Sequence, residues 1–192
     1  MANLPYVKGV RIGIKLPDTV NIMIEEESVV YAIKSSDGQW WMMDSDGRVV
    51  EQANNAKAAT ATQVLGVTLE APTVNEKGVA TEMTPSETNE LGELIPVTTT
   101  GAQRLTAALQ ILKALENNDI VGEAASVDVT STEDIILWYG TRYQVNLGDT
   151  SRLDYKVDCM NDAILQMSDY QSGVLDISFT IWPNQVGYTP FA

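Results

Sequence analysis

The stretch GVLDISFTIWPNQVGYTPFA, residues 173–192, decides the architecture expected for the end of this chain. Polar and apolar residues alternate from Leu175 to Phe179, a period of two that is typical of a β-strand. The apolar members are Leu175, Ile177 and Phe179. After a Trp-Pro-Asn break, a second extended piece contains Val186 and Tyr188. Chain ends are usually frayed and polar, so the pattern predicts strands at the edge of a sheet.

Alternation also dominates the first fifty residues. Two segments place Val or Ile at every second position, at 10–14 and 20–24, and a Pro-Asp turn joins them. Further strands are predicted in SVVYAIK (28–34), QWWMM (39–43) and RVVE (48–51). Asp-Gly pairs lie between these three segments and predict hairpin turns, the second of them in DSDG at 44–47.

Two segments show helical spacing instead. The first presents one apolar side, with Thr99 or Thr100 as a cap and Asn117-Asn118 as its end. That side is formed by Leu105, Ala108, Leu109, Leu112 and Leu115. The second helix is predicted to begin at Ser151, whose hydroxyl would cap it. Asp154, three residues later, would complete the capping box. Its apolar face is formed by Leu153, Val157, Met160, Ile164 and Met167.

The remaining segments complete the predicted fold. Three strands are expected between the helices, in SVDVT (126–130), DIILWY (134–139) and RYQVNLG (142–148), and a short buried strand in GVTLEAP (66–72). Residues 70–96 mix Pro, Gly, Thr and Glu without a sustained period and predict a long surface loop or insertion. Two helices against a mostly antiparallel sheet make an α+β fold.

Composition excludes several classes of function. The 192 residues carry a formal net charge of −14, which repels phosphate backbones and anionic lipid. The chain has no histidine, so the usual catalytic-triad base and the commonest zinc ligand are missing. No GxxxxGK, GxGxxG or GxSxG motif occurs. Its single cysteine, Cys159, cannot form an internal disulfide and is expected to be a buried, inert thiol.

A stripe of carboxylates is the most visible candidate for a metal site. Asp154, Asp158 and Asp162 recur every four residues along the second predicted helix. We expect a solvated face opposite the apolar one, on which Lys156 also lies, rather than a bound cation. No catalytic residue, cofactor or metal ligand is therefore predicted.

Four blocks of sequence resemble the FtsQ/DivIB family of bacterial cell-division proteins, in the order in which that family has them. The blocks are LPYVKGVRIGIKLPDTVNIMIEEESVVYAI (4–33), WWMMDSDGRVVE (40–51), YQVNLGDTSRLDYKVDCMNDAIL (143–165) and GVLDIS (173–178). The first is similar to the end of the family's POTRA domain and the others to its β domain. The resemblance implies that residues 1–32 are the C-terminal remnant of POTRA and that 33–192 form the β domain.

The resemblance also implies a place in the cell. Family members carry a cytoplasmic tail, one membrane helix and the first half of POTRA ahead of the point where this chain begins. We therefore expect an upstream helix to anchor the protein in the cell membrane, with this part on the extracellular side.

Members of this family are non-enzymatic scaffolds of the divisome that bind FtsB (DivIC) and FtsL. The resemblance implies that such partners add a strand at the C-terminal edge, roughly Leu175 to Tyr188. The residues expected to form this site are Leu175, Ile177, Phe179, Val186, Gly187 and Tyr188. In some members a basic residue just before the first aromatic pairs with an acid on the partner, whereas this chain has Ser178 at that place.

Two other functions stay open on sequence alone. An extracellular module could stack cell-wall glycan on a platform of Trp40, Trp41 and Trp182. An acidic hydrolase could use two carboxylates, such as Asp154 and Asp176, provided that they are about 5 to 10 Å apart in a cleft.

Overall fold

Two separate sheets and three helices form the part of the chain that the structure describes. The structure is a computed structural model, and it describes residues 7–26, 31–82, 99–180 and 183–191. Strand pairing is mostly antiparallel, with three parallel pairs among nine. The predicted α+β class is therefore confirmed.

The described strands are numbered in chain order. They are β1 (Val7–Lys15), β2 (Thr19–Glu26), β3 (Tyr31–Ser35), β4 (Trp40–Met43), β5 (Val49–Ala53), β6 (Gln63–Leu69), β7 (Ala124–Asp128), β8 (Ile135–Tyr139), β9 (Tyr143–Gly148), β10 (Gly173–Asp176) and β11 (Gly187–Pro190). The described helices are α1 (Asn55–Ala58), α2 (Gly101–Asn117) and α3 (Leu153–Leu165), with a 3₁₀ turn at Val121–Glu123. Alternation thus predicted the strands well, whereas the short α1 was not predicted.

Strands β1 and β2 form a two-stranded sheet of their own. Antiparallel register sets aliphatic side chains opposite one another, as in Ile12↔Ile22, so that they share one face. These side chains are exposed in the structure. The predicted domain boundary after residue 32 falls inside β3, whereas this small sheet ends at Glu26.

The other nine strands form one sheet in the order β11-β10-β9-β8-β7-β6-β3-β4-β5. Hairpins join most neighbours, and the turn at DSDG connects β4 to β5 as predicted. Parallel pairing occurs where β6 lies between β3 and β7, and where β10 lies beside β9. Each parallel pair is joined by a long crossover, as parallel pairing requires: β4, β5 and α1 lie between β3 and β6, α2 lies between β6 and β7, and α3 lies between β9 and β10.

Helices α2 and α3 cover one face of the nine-stranded sheet. Their apolar sides form the main core with alternate strand residues, among them Leu115, Met160 and Leu175, all fully buried. The smaller α1 packs on a second cluster, which contains Ala32 and Met42. Consecutive strand residues thus point to opposite faces of the sheet, and each face has its own apolar cluster.

The N-terminal cap predicted for α2 is confirmed, whereas the cap predicted for α3 is not. Thr100 caps α2, and Gln103 completes a capping box by bonding back to the Thr100 N–H. The predicted cap at Ser151 is wrong, because α3 begins at Leu153 after Arg152 and has no side-chain cap. The Ser151 hydroxyl donates to Asp149 instead, at 2.6 Å.

Part of the segment predicted as a loop lies against the large sheet. Residues 71–82 contain no helix or regular strand, but isolated bridges join Arg48 to Lys77 and Leu69 to Ala80. The Val49 N–H donates to the Glu76 carbonyl at 2.8 Å, so this segment covers part of the β5 edge. The rest of the predicted loop, 83–96, lies outside the described residues.

Candidate functional site

The last strand of the chain, β11, forms one edge of the large sheet. Among the described strands, β11 pairs only with β10, and β10 lies between β11 and β9. The open side of this edge therefore belongs to β11 alone. This is narrower than the span from Leu175 to Tyr188 that the sequence led us to expect.

Main-chain hydrogen bonds show which residues face outward from β11. The N–H groups of Gly173 and Ile177 donate toward the β9 side, to the Arg142 and Asn146 carbonyls. The Ser172 carbonyl, in contrast, accepts from the Phe191 N–H at 3.2 Å. Even-numbered residues of this segment therefore direct their main-chain groups toward β11.

The pairing register between β10 and β11 fixes the direction of the main-chain groups in β11. Thr189 lies opposite Val174 and Gly187 opposite Asp176, so the main-chain groups of both point inward to β10. Within β11, the main-chain groups of Tyr188 and Pro190 therefore point outward. Val186 directly precedes the strand, and continuing the alternation by one step would point its main-chain groups outward as well. Since proline has no N–H, the outward donors are those of Val186 and Tyr188, and the carbonyls of all three are outward acceptors.

Two of the six predicted partner-binding residues lie inside the core. The side chains of Leu175 and Ile177 are 0% exposed, and their strand is flanked on both sides. An incoming strand on β11 would not reach either side chain. They belong to the structural support of the edge, because alternation along a strand buries every second residue.

The other four predicted residues lie at the edge or directly behind it. Phe179, Val186 and Tyr188 are half-buried and pack against the main core. The Tyr188 hydroxyl donates to the Ser172 carbonyl at 3.1 Å, which ties β11 to the chain ahead of β10. Gly187 is on the strand, but its N–H points to β10 and is unavailable to a partner.

Trp40 and Trp41 do not form the platform considered as an alternative for glycan binding. They are consecutive residues of β4 and so lie on opposite faces of the sheet. Trp41 packs against the main core and donates to the Ser35 hydroxyl at 3.1 Å, whereas Trp40 packs against the cluster under α1. Trp182 lies outside the described residues.

The two carboxylates considered for hydrolysis are not brought together either. Asp154 is exposed in the first turn of α3, on the helix-covered side of the sheet. Asp176 follows the buried Leu175 in β10, so its side chain points to the opposite face. There it accepts the Ser178 N–H and hydroxyl, at 3.0 and 2.7 Å.

The carboxylate stripe of α3 is solvent-exposed as predicted, but Lys156 does not share that face. Asp154, Asp158 and Asp162 are exposed, whereas Lys156 is 1% exposed. Its ammonium group donates to the Leu147 carbonyl (2.8 Å) and to the carbonyl and carboxylate of Asp149 (2.9 and 2.8 Å). Hydrogen bonds from Lys156, and then from Ser151, lower the pKa of Asp149 to about 2.

Arg152, just before α3, contacts residues of the β10–β11 connection and was not predicted from the sequence. Its guanidinium is 4.4 Å from the centre of the Tyr155 ring and 5.7 Å from that of Phe179. It also donates to the Asn184 side-chain carbonyl at 3.0 Å. Periodicity offers no signal for this cluster, because its members come from three separate parts of the chain. In the described residues, no group of three or more His, Cys, Asp or Glu side chains could hold a metal ion.

Comparison with known proteins agrees with the blocks of resemblance. No protein-family model matches the chain. A relative from Clostridium tetani, named "Cell division protein DivIB", is 24% identical over 178 residues, which are 91% of this chain and 59% of the relative. A protein of the same name from Clostridium acetobutylicum is 34% identical over 65 residues, which are 34% of this chain and 26% of that relative.

These two matches support assignment of the chain to the DivIB/FtsQ family. The chain spans about three fifths of the length of the first relative and about a quarter of the second. None of its described helices has the length and hydropathy needed to cross a bilayer. The DivIB/FtsQ assignment rests mainly on the first match, which covers almost the whole chain.

Proposed function

We propose that this DivIB/FtsQ family member is a non-enzymatic scaffold of bacterial cell division that recruits its partners by strand addition at β11. The observation that carries the proposal is the outward direction of the Val186, Tyr188 and Pro190 main-chain groups. In the part of the chain that is described, no strand pairs with that side of β11. An extended peptide could satisfy these groups and become a tenth strand.

The proposed partners are FtsB/DivIC-like and FtsL-like division proteins. Support comes from the two relatives, both named as cell division proteins, and from the sequence blocks that resemble the family. We also propose that an upstream helix anchors the protein in the cell membrane, with this part on the extracellular side. The net charge of −14 fits a partner that is a protein rather than a nucleic acid or an anionic lipid surface.

A scaffold role fits the chemistry of the chain. The chain has no histidine, which is the side chain most often used for proton transfer near neutral pH. The two that sequence suggested, Asp154 and Asp176, point away from each other across the sheet. Binding through main-chain groups needs no such residues.

The edge is built to accept a short strand. Long, open edges lead to aggregation, and proline is one of the residues that limits them. Pro190 removes the third outward donor and Pro183 precedes the strand, so pairing is confined to a few residues. Backbone pairing would supply the register, while the half-buried aromatic side chains behind the edge would supply contact area.

The test is a proline at an outward position. Val186→Pro removes a donor that faces the partner and leaves the ladder to β10 intact. Thr189→Ala is the control on the same strand, because the Thr189 side chain is exposed and its N–H points inward. Affinity for the DivIC-like protein of the same genome, measured by titration calorimetry, should fall at least about tenfold for Val186→Pro and stay unchanged for Thr189→Ala.

Hydrogen exchange on the unmodified chain gives an independent test. Partner binding should protect the Val186 and Tyr188 amides, whereas those of Gly187 and Thr189 should be protected already. Wild-type affinity in Val186→Pro, together with unchanged exchange at these two amides, would rule out strand addition at β11.

A further inference from the structure

Strand β6 contains a bulge that opens the large sheet beside β3. Ile33 of β3 lies opposite Val64, but the next residue, Lys34, lies opposite Thr68. The β6 residues between these two pairs therefore lie opposite no residue of β3. Gly66 is at the centre of the bulge and has φ of +82°. A cavity of about 300 Å³ is lined by this part of β6.

Cationic side chains from both faces of the sheet line this cavity. Arg104 belongs to α2, on the helix-covered face, and its guanidinium donates to the Gly66 carbonyl at 3.2 Å. Lys34 lies on the other face, because its neighbour Ile33 points into the main core. The bulge thus lets two positive charges from opposite faces of the sheet approach one space.

The two cations differ in accessibility. Arg104 is 5% exposed, so its charge lies inside the protein, whereas Lys34 is exposed. The Lys34 ammonium group lies 4.9 Å from the centre of the Trp40 ring, and none of the ion pairs among the described residues involves it. A bound anion would therefore lie between a buried guanidinium and an accessible ammonium group with three N–H donors.

Carboxylates near the cavity bond to other groups. Asp128 accepts the Thr130 N–H at 2.8 Å, and Glu82 accepts the Gly101 N–H at 3.3 Å. Neither residue lines the cavity, and no other Asp or Glu of the described residues does so. In a chain with a net charge of −14, a cavity with two cations and no acidic lining residue among those described is a site for an anion.

The position of the cavity in the sheet is typical of a ligand site. Strands β3, β6 and β7 are parallel neighbours, and Lys34, Thr68 and Thr130 lie toward or just beyond their carboxyl ends. The chain leaves β3 toward β4 on one side and leaves β6 toward β7 on the other. In open sheets with parallel strands, such a change of direction forms a crevice at the carboxyl ends, where ligands bind.

We propose that this cavity binds a small organic carboxylate. The planar guanidinium of Arg104 and the ammonium group of Lys34 would hold the carboxylate, since both donate charge-assisted hydrogen bonds. Val64 and Val67 add apolar surface to the wall, which suits a short hydrocarbon body. Inorganic phosphate has no apolar surface to bury there, so an organic acid fits better. The inference does not rest on strand addition, because strands β7 to β10 lie between β6 and β11.

The test is a titration of the ¹⁵N-labelled chain with three probes at constant ionic strength. Sodium butyrate is the carboxylate, butyramide has the same shape without the charge, and inorganic phosphate has the charge without the apolar body. Butyrate should shift the amide resonances of Gly66, Thr68 and Thr130 in a saturable manner, with a Kd on the order of 1 mM. Butyramide and phosphate should bind at least about tenfold more weakly.

Two lysines provide a comparison with equal changes in charge. Lys34→Gln removes the accessible cation of the cavity, and Lys77→Gln is the control, because Lys77 is exposed and does not line the cavity. Butyrate should bind about fivefold more weakly to Lys34→Gln and less than about twofold more weakly to Lys77→Gln. Arg104→Lys keeps the charge without the planar fork and should also weaken binding. If this buried substitution unfolds the chain, the exposed Lys34 still provides the test.

Each possible outcome decides the inference. Saturable butyrate shifts at the bulge that weaken in Lys34→Gln and not in Lys77→Gln would support it. Equal binding of butyrate and butyramide would mean that the cations select nothing, and tighter binding of phosphate would exclude an organic acid as the preferred ligand. Equal affinity of the two lysine variants, or the lack of any saturable shift at millimolar butyrate, would also overturn the site. None of these results bears on strand addition at β11, which is tested with the partner protein.

Discussion

The Lys156 ammonium group lies 2.8 Å from the Asp149 carboxylate and 2.8 Å from the Leu147 carbonyl, on the side of β9 that α3 covers. The lysine is buried, whereas the Asp149 side chain is 57% exposed. One cation therefore joins the end of β9, the turn after it and the first turns of α3. Strand β9 pairs with β10, the neighbour of β11, so this bond fixes the end of the strand on which the β10–β11 edge is built.

Replacing this lysine should destabilise the fold. Lys156→Met keeps an unbranched side chain but leaves the Leu147 and Asp149 carbonyls without their donor, which we expect to cost about 2 to 3 kcal/mol. Asp149→Ala leaves the carbonyl bonds in place and should cost about 1 kcal/mol or less. Urea unfolding of both variants checks the order. A Lys156→Met variant as stable as wild type would show that the buried ammonium contributes no net stability.

The same pair predicts a stability that depends on acid pH. The pKa of Asp149 is lowered to about 2 in the folded chain, against about 3.9 when unfolded. A lowered pKa gives stability that is complete above about pH 5 and is lost as the pH falls through about 4 to 2. Because the carboxylate is more than half exposed, we expect no more than about 1 kcal/mol.

Asp149→Asn isolates this effect, because it cannot titrate. The difference in unfolding free energy between wild type and Asp149→Asn should shrink on acidification from neutral pH to about pH 2. A difference that stays constant over this range would contradict the lowered pKa.

Sequence predicted local structure better than it predicted the site, for a physical reason. Alternation and helical spacing depend on neighbours in the chain, so both major helices and most strands were found, including the Thr100 cap. The sheet order depends on long-range pairing. The sheet order places Leu175 on a strand inside the sheet and makes β11 the edge strand. Trp40 and Trp41 could have been placed on opposite faces from strand alternation alone.

The contacts of two charged residues, Lys156 and Arg152, were also not predicted from the sequence. A helical period assigns Lys156 to the polar face next to the aspartates, but its long side chain reaches carbonyls at the end of β9. Arg152 offered no pattern, since its partners Phe179 and Asn184 are distant in sequence. Such contacts depend on tertiary structure, and a single sequence does not encode them as a period.

Gly66 should not tolerate a side chain. It has φ of +82°, where β6 shifts register against β3, and an added Cβ would lie 2.2 Å from the Thr130 nitrogen. We expect Gly66→Ala to destabilise the fold by about 3 kcal/mol or more, since overlap with backbone adds to the strain. Gly122→Ala is the control, because a Cβ there meets nothing within 4 Å. Similar unfolding midpoints for the two variants would contradict this account.

Pro190 should limit both partner binding and self-association at the edge. Its missing N–H faces outward, so Pro190→Thr would add a third donor to the two of Val186 and Tyr188. One additional main-chain hydrogen bond should tighten binding of the DivIC-like protein about fivefold. The longer edge should also promote pairing between copies, which sedimentation velocity would detect as a concentration-dependent dimer.

Thr189→Val separates the effect of this donor from that of β-propensity. Valine favours strands at least as well as threonine, but the N–H of residue 189 points to β10 and adds nothing outside. We expect it to leave affinity and oligomeric state unchanged. Equal behaviour of Pro190→Thr and Thr189→Val would mean that the outward face of β11 is not where another strand binds.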